Sequence, residues 1–415
     1  MRVETPLVGS GSWSTLAMRW LFDRERRPAK DGDEIVTAFR DGVVTARSNR
    51  RVEGFTNAIQ EIGYQGVRKG DLVIHSMDGF AGAIGVSDSD GKASPVVHCY
   101  RPREGVDPRY FAYMLRDFAR CNYILSLAKG IRERSSAFDA ETFRSLVVPV
   151  PAPSEQRAIA DYLDAETTRI DALIGLERRR WVLSEEKVAA AVQCAALGGI
   201  AAEKGSSSSE GPLGALPRGW ERRRNKTFLR EIVELSESGD EELLSVSHIT
   251  GVTPRSEKEV TMFLAESNEG YKRVKKGDVV VNTMWAWMGA LGVSQCDGIV
   301  SPAYGVYRFT DERINPKYFD SLFRSCVYIA EMTRFSKGVW SSRLRLYPES
   351  FLGLRTPFPP YEEQGRISEQ IDLLRSEADR EVRLLSRSVE LLAERRGALI
   401  TAAVTGELDI PGLAA

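Results

Sequence analysis

Three stretches that mix cationic side chains with polar and aromatic ones occur twice each along this chain. TARSNRR at Thr45–Arg51 has a counterpart in TPRSEKE at Thr253–Glu259. KGIRERSS at Lys129–Ser136 has one in KGVWSSRLR at Lys337–Arg345, and HSMDGF at His75–Phe80 matches NTMWAWM at Asn282–Met288 in the same register. Lys and Arg neutralise phosphates, while Arg, Asn, Gln and Ser can exchange hydrogen bonds with base edges in a groove. The candidate contacts in the first half are Arg47, Asn49, Arg50, Arg51, Lys129, Arg132 and Arg134. In the second half they are Arg255, Asn282, Trp285, Lys337, Trp340, Arg343 and Arg345. A single Arg-bearing loop is as often just a solvated loop. Recurrence at matching places, with Lys and Arg returning at two of the three while local sequence changes, favours a bound polyanion, and double-stranded DNA fits.

Catalytic signatures do not accompany these loops. The sequence has no Gly-x-x-x-x-Gly-Lys-Ser/Thr, His-Glu-x-x-His or Gly-x-Ser-x-Gly motif, and no Gly-x-Gly-x-x-Gly after a strand. SPAY at Ser301–Tyr304 resembles the element with which amino-methyltransferases hold a target nitrogen. The first half has SPVV there, and no cofactor loop follows, so a strand edge is the expected reading. His75, His98 and His248 have no repeat partners and are expected to be packed or surface histidines. Five scattered cysteines without a Cys-x-x-Cys pair argue against a disulfide framework and a zinc site.

These loops must be held by something, and that something is duplicated. Lys69-Gly70-Asp71 returns as Lys276-Gly277-Asp278, GAIGVS at Gly82–Ser87 as GALGVS at Gly289–Ser294, and DPRYF at Asp107–Phe111 as NPKYF at Asn315–Phe319. The offset is 207, then 208 after the Ser94-Pro95 and Ser301-Pro302 pairs, so the chain of 415 residues is a tandem duplication with one inserted residue. Glycine-punctuated β-branched runs such as DLVIHSM and DVVVNTM predict strands, and PRYFAYMLRDF and PKYFDSLFRS predict short helices. The fold class expected is α+β, with one globular domain per half.

Each domain is followed by a proline-broken exit and a Glu-Gln pair: Glu155-Gln156 in VPAPSEQRAIADYLD and Glu363-Gln364 in FPPYEEQGRISEQID. Ser154 is the expected helix cap. Apolar residues then recur at close to 3.5-residue spacing, from Ile159 through Leu163, Ile170, Ile174, Trp181, Val188 and Val192 to Ala195. In the second copy they run from Ile367 through Ile371, Leu374, Leu385 and Val389 to Ala403. About 42 residues of helix make a rod of roughly 60–65 Å. Each stripe needs cover, and the other copy is the obvious partner, parallel or antiparallel. The expected divisions are a first domain over 1–150, a helix over 151–198, a flexible linker over 199–217, a second domain over 218–358, a helix over 359–406 and a tail over 407–415.

Charge follows the same blocks. Residues 1–150 carry 22 Lys/Arg against 19 Asp/Glu and 211–360 carry 21 against 18, each +3, whereas the segments that hold the helices are −3 and −4, so the overall −1 hides the segregation. A net of +3 per domain predicts weak DNA binding by this chain alone. No apolar run approaches the roughly 20 residues of a membrane span, and the first residues lack the layout of a signal peptide, so a cytoplasmic place is expected.

With these residues in view, the sequence resembles the specificity subunit of type I restriction–modification systems. The resemblance rests on VPVPAPSEQRAIADYLD and TPFPPYEEQGRISEQID, on RKGDLV and KKGDVV, on LPRGWE at Leu216–Glu221 and on ERRGALITAAVTGEL near the C-terminus. It implies a non-catalytic DNA reader whose two target-recognition domains each contact half of a split, asymmetric sequence. It further implies that the two helices pack as an antiparallel coiled coil that sets their separation. Two adenine-methyltransferase subunits would bind alongside and carry S-adenosylmethionine, this chain binding no cofactor itself, and a motor-nuclease subunit would join for cleavage. Glu155, Gln156, Glu363 and Gln364 would be the hinge where each reader leaves its helix. The first helix ends in AAAVQCAALGGI where the second has GALITAAVTGEL, so the contacts of its end are not carried over. The other reading is a coiled-coil scaffold with two heads that bind protein or RNA.

Overall fold

The computed structural model describes residues 3–4, 13–50, 62–127, 138–198, 213, 216–257, 267–338 and 344–410. The first half lays down β1 (Phe22–Glu25), β2 (Leu72–His75), β3 (Ile84–Val86), β4 (Val97–Pro102), α1 (Pro108–Arg120) and the long α2 (Pro153–Ala196). The second lays down β5 (Leu229–Glu231), β6 (Val279–Val281), β7 (Leu291–Val293), β8 (Gly305–Phe309), α3 (Pro316–Phe323) and the long α4 (Tyr361–Thr405). The chain forms two compact units, one of Met1–Arg178 with Ser386–Ala415 and the other of Arg179–Leu385. Each unit therefore holds one α+β domain and a part of both long helices.

In the first unit the sheet order is β1-β4-β2-β3, antiparallel throughout. Side chains alternate along β2. Leu72 and Ile74 join Phe111, Leu115 and Phe118 of α1 in one core, and Val73 joins Val36, Val44 and Cys99 in a second. Both faces are covered, which is why DLVIH reads as a continuous apolar run. In the second unit the order is β5-β8-β6-β7, and Val279 and Val281 face one core while Val280 faces the other.

The repeated Lys-Gly-Asp is structural. Gly70 and Gly277 take φ of +91° and +92° in tight turns, a conformation that favours glycine. Asp71 and Asp278, both buried, each accept the amide of the residue three before, at 2.9 Å. Each also pairs with an arginine that the repeat did not supply from one place. Asp71 takes Arg27 from beside β1, and Asp278 takes Arg308 from β8 with two 2.8 Å bonds.

At each Glu-Gln junction a buried amide side chain ties the domain to its long helix. Gln156 and Gln364 are almost fully buried. The Gln156 side-chain oxygen accepts the Asp107 amide at 3.0 Å, and its nitrogen donates to the Pro151 carbonyl at 2.9 Å. Gln364 does the same with the Asn315 amide at 2.8 Å and the Pro359 carbonyl at 3.0 Å. Asp107 and Asn315 are the N-caps of α1 and α3, so one amide side chain fastens each domain helix to the first turn of its long helix. Arg109–Asp164 and its counterpart Lys317–Asp372, each 2.9 Å, brace the same corner. Ser154 is not the cap, because α2 begins at Pro153, where proline's missing N–H costs nothing. The Glu155 carboxylate reaches back to the Ala152 amide at 2.8 Å, while Glu363 sits half-buried in the first turn of α4.

The long helices run antiparallel, and each unit shows it. In the first, Asp171 of α2 pairs with Arg396 of α4 at 2.9 Å, while the earlier Ile159 and Leu163 share a core with the later Ile400, Ala403 and Val404. In the second, Ser184 donates to Glu381 at 2.6 Å, while the later Ala195 and Ala196 share a core with the earlier Ile367 and Ile371. The seam is tightest at those ends. Ile174, Trp181, Val188, Leu374 and Val389 are only half-buried.

The far end of each helix closes a core. Tyr110 of α1 donates its hydroxyl to the Val404 carbonyl at 3.3 Å, and Tyr318 of α3 donates to the Ala196 carbonyl at 3.1 Å. Ala196 and Val404 are repeat equivalents. The contact survives the sequence change at the end of α2 because it uses backbone, and Gly198 keeps the positive φ of Gly406. The expected linker over 199–217 does not run free to its last residue. Leu213 is buried in the second core, Leu216 packs against it, and Gly198 abuts Pro217 and Trp220.

Candidate nucleic-acid interface

The loops that leave the sheet ends carry the candidate contacts. In the first unit a cleft of about 520 Å³ opens beside the end of β2, lined by Phe39, Arg40, Asp41, Arg47, Arg50, His75 and Asp78, among others. Arg47 and Arg50 flank a 3-10 turn, Arg47–Asn49, that follows a hairpin of Val36–Ala38 and Val44–Ala46. The Arg47 Nε donates to Thr37 at 3.1 Å. Arg50 forms a two-bond pair with Asp41 at 3.0 and 2.6 Å, and its guanidinium lies 4.2 Å from the centre of the Phe39 ring. Burial works to raise the Asp41 carboxyl, but the Arg50 guanidinium and the Val43 amide outweigh it and hold it below the usual range. Arg50 is thus fixed in direction, with part of its donor set already committed to a carboxylate. Asn49 is turned to Thr45 and Ser89 at 3.0 and 3.4 Å.

His75 ends β2 and lines the same cleft. Its Nδ1 accepts the Asp78 amide at 3.1 Å, and Asp78 in turn pairs with Arg40 at 2.9 Å. Burial lowers the imidazole's pKa, against the pull of Asp78 and with the help of Arg40. The neutral ring with Nδ1 accepting carries its proton on Nε2.

In the second unit Asn282 takes the place of His75. Its side-chain oxygen accepts the Met284 amide at 3.2 Å, and its nitrogen donates to the Tyr304 hydroxyl at 3.1 Å. Burial raises the Tyr304 phenol, opposed by the charge of Arg255 and the bond from Asn282, so the hydroxyl keeps its proton. Tyr304 follows a turn closed by its own amide on Ser301 and leads into β8, a strand edge as the sequence suggested. Trp285 is half exposed. Lys337 and Arg345, both exposed, exchange two 2.9 Å backbone bonds, and the Leu346 amide donates to the Thr283 carbonyl at 2.9 Å. That last bond sets Leu346, the neighbour of Arg345, against the Asn282–Trp285 turn.

The structure thus brings Arg47 with Arg50, and Asn282 and Trp285 with Lys337 and Arg345, while the charge of Arg255 is felt at Tyr304. Arg51, Lys129, Arg132, Arg134, Trp340 and Arg343 lie outside the described residues. The residue reading missed Phe39, Asp41 and His75. The signal for His75 was its register with Asn282, which a search for repeated residue types passes over. Among the described residues no group of three or more His, Cys, Asp or Glu side chains is placed to hold a metal ion, and no helix is long and apolar enough to cross a membrane.

No protein-family model matches this sequence, and no curated protein does. Solved structures match along almost its whole length. One, from work on the complex assembly and conformational transition of the type I R-M system, superposes with a TM-score of 0.71 at 16% identity, over 97% of this chain and 100% of that one. The HsdS subunit from Thermoanaerobacter tengcongensis aligns with a TM-score of 0.57 at 17% identity, over 98% of this chain and 100% of that one. The chain has the HsdS fold. Within that fold, the cleft of the first domain and the Asn282–Tyr304 cluster of the second lie at loop ends of the sheets, away from the Gln156 and Gln364 clamps in sequence. The residues an HsdS fold keeps between its own two halves here are the clamps, the buried aspartates and the tyrosine-to-carbonyl bonds, and the cleft residues are what it varies.

Proposed function

We propose that this chain is the non-catalytic specificity subunit of a type I restriction–modification system. Each domain reads one half of a split, asymmetric DNA sequence, and the two continuous helices set the distance between the half-sites. The observation that carries this reading is the pairing of duplicate scaffolds with non-duplicate clefts. The order of the four-stranded sheets, the helix clamps and the core-closing bonds repeat position for position, whereas His75 becomes Asn282, Asp78 becomes Trp285 and Val97 becomes Tyr304. Two equivalent supports with different lining chemistry suit two different base sequences. Phosphate contacts from Lys and Arg supply sequence-blind affinity, and base-edge hydrogen bonds supply discrimination of about 1–3 kcal/mol per good bidentate pair. Two adenine-methyltransferase subunits bring S-adenosylmethionine and the chemistry, and a motor-nuclease subunit joins for cleavage. Leu176, Leu183, Leu384 and Leu391 are exposed along the helices and offer apolar surface to such subunits.

The test is methylation sequencing of DNA from cells that express this chain with a neighbouring adenine methyltransferase. A split, non-palindromic methylated motif that disappears when this chain is deleted supports the reading. No change in methylation with the partner assembled would favour a scaffold whose heads bind something else.

A further inference from the structure

The ends of β2 and β6 occupy equivalent positions, and each presents one polar group after its loop has been served. At the first, the Nδ1 of His75 is occupied by the Asp78 amide at 3.1 Å. Nε2 then carries the ring's proton, and His75 lines the cleft together with Arg47 and Arg50. At the second, the Asn282 oxygen is occupied by the Met284 amide at 3.2 Å, and its nitrogen is spent on the Tyr304 hydroxyl at 3.1 Å. That hydroxyl accepts from Asn282, so its own proton is free to donate. A loop anchor and a spare donor are thus combined in one side chain in the first domain and divided between two in the second, where Tyr304 lies half-buried beside the Val280 core. Val97, at the place of Tyr304, has no hydroxyl with which to share the task.

We infer that His75 in the first domain, and Tyr304 held by Asn282 in the second, are specificity-determining residues that each donate one hydrogen bond to an acceptor on a base edge. The inference rests on the DNA-reading function proposed above and names the groups that do the reading. In the major groove the acceptors within this class are guanine O6 and N7, adenine N7 and thymine O4, and cytosine, which offers an amino donor there, is the base such a group rejects. The surroundings support a reading role over a purely structural one. Asp78 and Arg40 engage each other beside His75, at 2.9 Å, and Asp41 engages Arg50, so these four charged groups of the cleft are paired and the imidazole stands among them as a neutral donor.

Two substitutions separate reading from anchoring. In His75→Asn the side-chain oxygen takes the place of Nδ1 and keeps the bond from the Asp78 amide, but the group that reached the cleft is gone. In His75→Gln the terminal nitrogen overlies Nε2 and keeps the donor, while the anchor is lost. Each variant is co-expressed with the methyltransferase partner, and methylated motifs are sequenced alongside wild type. We expect His75→Asn to relax discrimination at one base position of one half-site by about five- to tenfold, with the other half-site unchanged, and His75→Gln to keep the wild-type motif. The second domain gives the parallel result with Tyr304→Phe, which relaxes one position of the other half-site. An unchanged motif in His75→Asn with a damaged one in His75→Gln would mean that His75 only anchors its loop, and would overturn the inference. Unchanged motifs in both His75→Asn and Tyr304→Phe would overturn it as well. If wild type itself yields no split motif, it is the function proposed above that fails, so the two failures are told apart by the wild-type lane.

Discussion

Replacing Gln364 by methionine tests whether the repeated Glu-Gln junction is a hydrogen-bonded clamp. Methionine nearly conserves volume, so packing changes little and the loss is that of two bonds, to the Asn315 amide at 2.8 Å and the Pro359 carbonyl at 3.0 Å. Gln364 is fully buried, so the two partners cannot both turn to water. Leaving a buried donor or acceptor unsatisfied costs about 1–3 kcal/mol, which puts the variant near 3 kcal/mol for the pair. For a unit of some 200 residues each kcal/mol lowers the melting midpoint by about 2–4 °C, so the expected drop is roughly 6–12 °C. Scanning calorimetry of the full chain reads it as a shift of one transition, and Gln156→Met should shift the other by a similar amount. If Gln364→Met melts within about 2 °C of wild type, the junction is held by packing and ion pairs, and the clamp is wrong.

Asp278→Ala leaves the half-buried Arg308 guanidinium with Glu234 alone and the Lys275 amide without its acceptor, and should cost about 1–3 kcal/mol, read as a lower urea midpoint, whereas a cost under about 0.5 kcal/mol would mean that Glu234 and solvent take over the charge. His98 has its pKa pushed down to about 4, by burial first and by the charge of Arg24 second. Its folded value lies below the unfolded one, so the stability it contributes is full above about pH 6.5 and declines as pH falls toward about 4. A proton titration by NMR should find it neutral from pH 7 to 5, and a midpoint at or above 6.5 would contradict the burial argument. Lys337→Ala and Arg345→Ala should each weaken DNA binding by the assembled complex uniformly across sequences, lowering the slope of log K against log salt by about one, and a changed half-site would show that they read bases instead.

Much of the scaffold was legible. The 207-to-208 register marks both domains and both helices, and alternating strand burial and N-capped Asp-Pro and Asn-Pro starts follow from local chemistry. Helix direction came from the family resemblance alone, because a 3.5-residue stripe is the same read from either end. It is decided by contacts of long range, such as Tyr110 with Val404, that no window of sequence contains. The anchoring of Leu213 and Leu216 in the second core was not legible either, because it too depends on contacts distant in sequence. In the clefts, residue types announced positive charge, while the state of that charge stayed hidden. Arg50 looks free in TARSNRR, yet Asp41, nine positions earlier, already holds it.

The order in which the two cores can be completed differs, and that has a consequence for synthesis. The second domain closes on Ala196, which precedes Tyr318 by 122 residues and so leaves the ribosome first. The first domain closes on Val404, which follows Tyr110 by 294 residues. At about 5–20 residues per second the first domain waits roughly 15–60 s for the last piece of its own core. During that wait the apolar face that Ile400, Ala403 and Val404 will cover stands open. The nascent first domain is the stage at which this chain is most exposed to proteolysis and aggregation, and a chain that stops short of Val404 stays there.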